Sequence, residues 1–455
     1  MNIQFLLSIK MILSTSLLTL IFSLPPAHAE LGTPPNIVLI ISDDAGFADF
    51  AFQGSKTMKT PNIDAIAKSG VTLTKGYVSA PVCAPSRAGL LTGRYQQRFS
   101  FERNLTTKND LGRGIAQSEK TMGDHFKALG YRTAAIGKWH LGYKDVYHPN
   151  NRGFDHFYGL LAGSRDYFKQ AVKKPTDKYK VLQRNGELLT ESVGYVTDLL
   201  TDETIDFIER NKTQPFFAYV SYTAVHTPMD AQAHRLTEVP QSIVDPKRRK
   251  LIAMTGSLDD NVGRIIDKLD QLKLSENTLV IFLNDNGGAT KNASINAPLR
   301  GYKGSTFEGG IRVPILIKWP GHIKANSHYD ETVISLDLLP TLLAAANAKT
   351  IENTPTIDGT NLLPYLSDAN AGTPHKSIFF KYHSGRAHIK GDWKWMTAKL
   401  KQADGSKKLV KFLFNLKNDP AEQNNLLHTH PEKVTELRLE WQDWFFDMPG
   451  IWTAL

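Results

Sequence analysis

An α/β fold built on a large, mainly parallel sheet is predicted by three observations. Continuous apolar runs recur at residues 37–41, 131–136, 216–222, 279–283 and 313–317. Runs that are apolar throughout, not alternating, suit parallel strands covered on both faces. Helical patterns lie between them: residues 247–272 place Leu258, Val262, Ile265, Leu269 and Leu272 on one stripe, and a second helix is expected over 336–346. Alternation of buried strands and helices implies one sheet between helical layers. After Thr373 the character changes. Residues 377–382, 386–389, 393–396 and 411–416 read as short strands joined by tight turns, and an amphipathic helix is expected over 431–446. A smaller antiparallel sheet closed by that helix should therefore come after the main one.

The chain has 455 residues, 41% hydrophobic and 22% charged, which is the composition of a globular protein and not of a disordered or fibrous one. The first 29 residues stand apart. Lys10 precedes an apolar run over residues 11–24, Pro25 and Pro26 break it, and Ala27-His28-Ala29 has the small-x-small pattern of a cleavage site. This predicts a secretory signal peptide over 1–29. The run is too short to span a bilayer, no later stretch is long enough, and no cysteine follows the cleavage site to carry a lipid. No stable membrane insertion is expected, and the mature chain should be periplasmic or secreted.

Net charge is +9, or +8 once Lys10 is removed with the signal. A basic surface favours anionic partners. The basic residues are dispersed, with one short run at residues 247–250 that opens a helix, so nucleic acid is not the expected partner. An anionic polysaccharide outside the cytoplasm suits an exported chain better. The single cysteine, Cys83, cannot form an internal disulfide, and an odd cysteine in an exported chain points to an intermolecular bond or a reactive thiol.

Polar residues fall where the strands end. The run at 37–41 leads to Asp43 and Asp44, that at 131–136 to Lys138 and His140, that at 216–222 to His226, and that at 279–283 to Asp285 and Asn286. Ligands of open α/β sheets collect beyond the carboxyl ends of strands. Asp43, Asp44, Asp285 and Asn286 offer only oxygen, which suits a hard cation such as calcium or magnesium over zinc. The same residue types also make turns and helix caps, so spacing alone leaves a metal site and a set of caps both open.

One segment is more specific. Cys83-Ala84-Pro85-Ser86-Arg87, with Leu91-Thr92-Gly93-Arg94 after it, resembles the signature of the formylglycine-dependent sulfatases. Other segments resemble that family in order: Asn36 to Ile40 before Asp43-Asp44, Gly137-Lys138-Trp139-His140, His226-Thr227-Pro228, Asn284-Asp285-Asn286-Gly287, Lys303, and Phe414-Asn415-Leu416 with Asp419-Pro420. The resemblance spans nearly the whole mature chain. It implies an alkaline-phosphatase-like fold, with a catalytic α/β domain over 30–372 and a C-terminal subdomain over 373–455. It also implies a maturing enzyme that converts Cys83 to formylglycine, and calcium held by Asp43, Asp44, Asp285, Asn286 and residue 83.

A sulfate monoester is an anion, so Arg87, Lys138 and Lys303 are expected to offset its charge. In the implied mechanism a hydroxyl on hydrated residue 83 attacks sulfur, His226 or Lys303 protonates the leaving oxygen, and His140 takes the proton whose loss expels sulfate. Residues 90–94 should open a helix after residue 83, whose amides favour an anion. Ser164 resembles a supporting serine of some relatives, and Arg165, His383 and Arg386 are candidate substrate readers. The expected substrate is a sulfated polysaccharide or its oligosaccharides, such as the algal galactan carrageenan, with ulvan, fucoidan and glycosaminoglycans as other candidates. The alternatives are a phosphodiester or phosphonate hydrolase of the same superfamily and a carbohydrate-binding pseudoenzyme.

Overall fold

A computed structural model describes residues 34–448, except 169–171, 173, 190–193, 349–354 and 368–371. The expected signal peptide at 1–29 lies outside the described residues. The expected strands at 37–41, 131–136, 216–222 and 279–283 appear as Asn36–Ser42, Arg132–Lys138, Phe216–Ser221 and Thr278–Asn284. They are neighbours in a ten-stranded sheet, in the spatial order Thr278–Asn284, Asn36–Ser42, Phe216–Ser221, Arg132–Lys138. All three pairings between them are parallel, with Ser42 beside Asn284 and both Ile41 and Gly137 beside Ser221. Their carboxyl ends therefore lie side by side. The apolar side chains of Ile37 to Ile41 carry no exposed surface, as strands covered on both faces require.

The sheet is mixed. The apolar run at 313–317 forms the strand Ile315–Lys318, which pairs antiparallel with both Thr278–Asn284 and Val71–Tyr77. A run buried on both faces carries no signal of strand direction, so its pattern suited either sense. Val71–Tyr77, Ser327–Ile334 and His156–Leu160, not expected from the sequence, extend the sheet on its two sides. The long helix runs from Pro246 to Gln271, within a residue of expectation, with Asp245 capping the amide of Lys247. Its stripe of Leu258, Val262, Ile265 and Leu269 belongs to one buried apolar cluster with Val38, Ile40, Val280 and Phe282 of the strands Asn36–Ser42 and Thr278–Asn284.

The smaller sheet has four antiparallel strands in sequence order: Ser377–Tyr382, Gly385–Lys390, Trp393–Lys401 and Lys407–Asn415. The helix Pro431–Phe446 covers it through Leu437 and Trp441, which pack on Trp395 and Leu413. From Pro34 onward the chain clusters as one compact unit. Beyond apolar contacts, a buried ionic cluster joins the two sheets. Lys394, on the small sheet, lies 2.8 Å from Glu308 Oε1 and 2.8 Å from Glu422 Oε1, with no exposed side-chain surface. Glu308 also accepts from Tyr77 Oη of the large sheet at 2.7 Å, and its own amide donates to Glu422 Oε2 at 2.7 Å. Burial alone would raise the Glu308 carboxyl, but Lys394 and Arg312 hold it below its ordinary value.

Breaking a buried pair from one side leaves an uncompensated charge. Lys394→Met should therefore destabilise the protein by about 3–5 kcal/mol, read as a lowered denaturation midpoint. Adding Glu308→Gln and Glu422→Gln to the same chain should recover much of the loss, and a triple variant no more stable than Lys394→Met would contradict the assignment.

Candidate active site

The four neighbouring parallel strands deliver their polar residues to one place. Asp43 and Asp44 follow the first strand, Lys138 ends the second, His226 follows the third and Asp285 follows the fourth. Asp44 and His140 both take left-handed backbone, φ 63° and 61°, a conformation that costs non-glycine residues of order 1–3 kcal/mol and survives only where surrounding contacts enforce it. Around Asp44 those contacts are the Asp43 amide to the Ala224 carbonyl at 2.8 Å, and the Asn292 amide and Ser294 hydroxyl to the Asp44 carbonyl at 3.0 and 2.9 Å.

Cys83 reaches this place at the head of a helix. The helix is Cys83–Thr92, and all ten of its residues are buried. The expectation that residues 90–94 open it is therefore corrected. They close it, with Gly93 as the left-handed C-cap whose amide donates to the Gly89 carbonyl. Pro85 sits in the first turn, where its missing amide proton costs nothing. The Ala84 amide donates to Asn104 Oδ1 at 2.9 Å. Gly89 lets the helix lie against the neighbouring loop, since a Cβ there would fall 2.2 Å from Ser79 Oγ.

Arg87 stands one turn beyond Cys83, so both point at the strand ends. Its Nε and Nη2 grip Asp285 Oδ2 at 3.0 and 2.9 Å, Nη2 lies 3.9 Å from Asp43 Oδ2, Nη1 donates to the Lys138 carbonyl at 3.2 Å, and Ser221 Oγ lies against the same nitrogen. Lys138 Nζ is 2.5 Å from Asp43 Oδ2. Burial works against the charge on Lys138, but Asp43 outweighs it and raises the ammonium pKa. Lys303 Nζ lies 2.6 Å from Asp44 Oδ1 and 3.1 Å from Cys83 Sγ. Burial opposes its charge too, yet Cys83 and Asp44 raise its pKa well above the ordinary lysine value. Arg87 and Lys138 carry no exposed side-chain surface, so Lys303 and His226 are the basic groups that border open space.

Three carboxylates thus face three cationic side chains. A divalent cation added to this set leaves net positive charge for an anionic ligand. The donors fit such an ion. Asn286 Nδ2 donates to Asp44 Oδ1 at 2.8 Å, while Asn286 Oδ1 is buried with no hydrogen-bond partner, and a buried acceptor without a donor is costly. Ligand atoms of Asp43, Asp44, Cys83 and His226 lie within 4.8 Å of one another. The Cys83 thiol is pushed up to about 12, by burial first and then by Asp285. The remaining oxygen donors suit a hard cation.

A cleft of about 280 Å³ opens above Cys83, bordered by Asn104, Leu105, His140, Ser164, Lys180 and His226. His140 Nε2 must donate to the Leu105 carbonyl, 3.0 Å away, because a carbonyl only accepts. Its Nδ1 is therefore an acceptor, buried and unpartnered. Burial first, then Lys138, pushes the imidazole pKa well below its ordinary value and keeps it neutral. Gly163 makes room for the ring, since a Cβ there would fall 2.5 Å from it. His226 Nδ1 meets the Thr227 carbonyl at 2.5 Å, leaving Nε2 3.5 Å from Asp44.

The candidate substrate readers separate. Ser164 borders the cleft. His383 borders a neighbouring cleft of about 360 Å³ with Tyr302 and Tyr382. Arg165 is buried, its Nε donating to the Asp166 carbonyl at 2.7 Å, and it lines neither cleft. Arg386 is likewise displaced from the site, its guanidinium lying over the Trp441 ring at 5.0 Å: strand alternation turns it toward the covering helix. Asn104, the Leu105 carbonyl, Ser221 and Lys180 carry no sequence signal. Asn104, Leu105 and Lys180 come from irregular segments and Ser221 ends a strand, and only the folded contacts reveal them.

The sequence model of the Sulfatase family matches residues 35–348, and that of the N-sulphoglucosamine sulphohydrolase C-terminal region matches residues 302–443. N-acetylgalactosamine-6-sulfatase of Mus musculus is 34% identical over 353 residues, 73% of this chain, and the chain spans 66% of that relative's length. The sulfatase YdeN of Escherichia coli is 32% identical over 405 residues, 78% of this chain and 70% of its own. The solved structure of Ps i-CgsB superposes with a TM-score of 0.84 at 35% identity, covering 92% of this chain and 94% of the other, and its complex with k-i-k-neocarrahexaose gives the same values. A large mixed sheet between helices and a small antiparallel sheet is the alkaline-phosphatase-like arrangement that the resemblance implies. By the match over residues 35–348, as by its architecture, the chain belongs to the sulfatase family.

Proposed function

We propose that the protein is an exported sulfuric ester hydrolase that removes sulfate from a carbohydrate, with residue 83 as nucleophile and calcium as its metal. The observation that carries the reading is the meeting of Cys83, which lines the cleft, with Lys303, Asp43 and Asp44 beside the buried Arg87 and Lys138. Ps i-CgsB, solved with a neocarrahexaose, supports a sulfated galactan such as carrageenan as the substrate class.

Asp43, Asp44, Asp285, Asn286 and residue 83 would hold calcium, which supplies positive charge to the sulfuryl oxygens. The formylglycine that a maturing enzyme would form from Cys83 supplies, when hydrated, a hydroxyl nucleophile and a second hydroxyl for release. Arg87 and Lys138 fix the carboxylates and residue 83 in register, a preorganisation that costs no rearrangement during reaction. Lys303, with Nζ 3.1 Å from Cys83 Sγ, neutralises the ester's charge. His226 Nε2 or Lys303 Nζ gives a proton to the leaving sugar oxygen. His140 Nδ1, an acceptor without a partner, receives the proton of the second hydroxyl.

Protein made in a host that forms formylglycine should release sulfate from one class in a panel of sulfated oligosaccharides, and Cys83→Ala should release none. A panel that stays silent although peptide mass shows residue 83 converted would favour the phosphonate or phosphodiester alternative. Calcium at about 100 times its dissociation constant should stabilise the fold by about 2.7 kcal/mol in thermal denaturation, and Asn286→Ala should shrink that shift. The acid is identified by leaving group: its alanine variant should lose about 10²–10⁴-fold in kcat on a sugar sulfate and far less on an aryl sulfate with an acidic phenol. If His226→Ala and Lys303→Ala both lose equally on the two substrates, neither is the acid.

A further inference from the structure

Three loops that follow three strands of the large sheet meet at one side chain. Asp44 lies past the strand Asn36–Ser42, Val225 and His226 lie past Phe216–Ser221, and Asn292 lies past Thr278–Asn284. Asn292 ends a single short helical turn, Thr290–Asn292, and has no exposed surface. Its Nδ2 donates to the Asp44 carbonyl and to the Val225 carbonyl, each at 3.0 Å. Its Oδ1 accepts from the Ser294 amide at 3.2 Å. A side-chain amide has two protons to give, and here one goes to each of the other two loops.

The residues that own these carbonyls give the contact its meaning. Asp44 is one of the oxygen donors assigned to the cation, and its backbone is left-handed, φ 63°. Val225 precedes His226, whose Nε2 lies 3.5 Å from Asp44 Oδ2. Backbone bonds already tie Asp43 to the same loop: its amide donates to the Ala224 carbonyl at 2.8 Å, and its carbonyl accepts from the Val225 amide at 2.7 Å. Those bonds stop at Asp43. Past it the chain turns, and among the described residues the Asp44 carbonyl is held from the third loop, by Asn292 and by Ser294 Oγ at 2.9 Å.

The His226 loop has a further buried support. Tyr167 Oη lies 2.7 Å from the Thr223 carbonyl oxygen and 3.0 Å from that of His226, sharing its one proton between them. Three side chains thus divide the contacts. The Ser294 hydroxyl reaches Asp44, the Tyr167 hydroxyl reaches the His226 loop, and Asn292 reaches both.

We propose that Asn292 is a positioning residue that couples the cation site to His226, holding Asp44 and the His226 loop at one fixed separation. The proposal rests on the sulfatase reading above, with Asp44 as a calcium ligand and His226 as the acid for the leaving oxygen. A buried amide with all of its bonds made acts as a rigid strut, and this strut spans a metal ligand and a proton donor. If Asn292 served the fold alone, replacing it would lower stability and leave the cation affinity and the leaving-group dependence of the folded enzyme as they were.

The variants Asn292→Ala, Ser294→Ala and Tyr167→Phe separate these roles, with His226→Ala as the reference. Calcium affinity is read by calorimetry on protein with unconverted Cys83, where no turnover is needed. Leaving-group dependence is read on converted protein, as the ratio of kcat on a sugar sulfate to kcat on an aryl sulfate with an acidic phenol. Asn292→Ala should weaken calcium binding about 10–100-fold and lower the ratio by a similar factor. Ser294→Ala should weaken calcium binding with the ratio kept, and Tyr167→Phe should lower the ratio with calcium affinity kept. Asn292→Ser keeps a polar group and gives the same two readings where the alanine variant does not fold. An Asn292 variant that only lowers the denaturation midpoint, or that moves one reading without the other, would overturn the coupling. So would a His226→Ala ratio no lower than that of the unchanged enzyme, because His226 would then not be the acid. Sulfate release by the unchanged protein, with unpaired readings in the Asn292 variant, leaves the sulfatase reading standing without the coupling. No release from any substrate by the unchanged, converted protein removes both.

Discussion

The buried contact between Arg87 and Asp285 is the constraint on which the rest of the site depends. Three carboxylates end neighbouring strands inside the protein, where each unpaired charge would cost several kcal/mol. Arg87 meets Asp285 with two nitrogens and approaches Asp43, which Lys138 closes from the other side. Arg87 is also one helical turn from Cys83. Burying the guanidinium under the strands therefore fixes the depth and rotation of the helix, and with them the position of residue 83. A stability requirement and a catalytic one are met by the same contact.

That economy extends to the polar groups around them. The cations that make three buried carboxylates tolerable leave the set electrically balanced, so a further divalent ion turns the mouth of the cleft positive toward an incoming anion. Among the described residues, Asn286 Oδ1 and His140 Nδ1 are buried near this set without hydrogen-bond partners. Both are acceptors, and they stand on opposite sides of the problem. One suits a cation, the other a proton. The left-handed backbone at Asp44 and His140 shows that the surrounding contacts hold these groups against local preference.

The sequence made the strand-end residues legible because parallel strands leave a simple rule: residues just past a buried run face the ligand. Asp43, Asp44, Lys138, His140, His226 and Asp285 all obey it, and the motif around Cys83 added the helix. The rule says nothing of strand sense, so the antiparallel course of Ile315–Lys318 was hidden, as was Val71–Tyr77, whose threonines and lysine interrupt the apolar pattern. Asn104 and the Leu105 carbonyl were hidden for another reason. They come from a loop with no periodicity, and one of them works through a backbone atom that every residue possesses. Arg386 shows the limit of reading charge from sequence: one step of strand alternation decides whether it faces a substrate or the Trp441 ring.

The seam between the two sheets also bears on the candidate site. The segment bearing Lys303 is pinned a few residues later by Glu308, whose carboxylate is shared between Tyr77 of the large sheet and Lys394 of the small one. Docking of the small sheet thus helps set the position of Lys303, and through it the polar groups around Cys83.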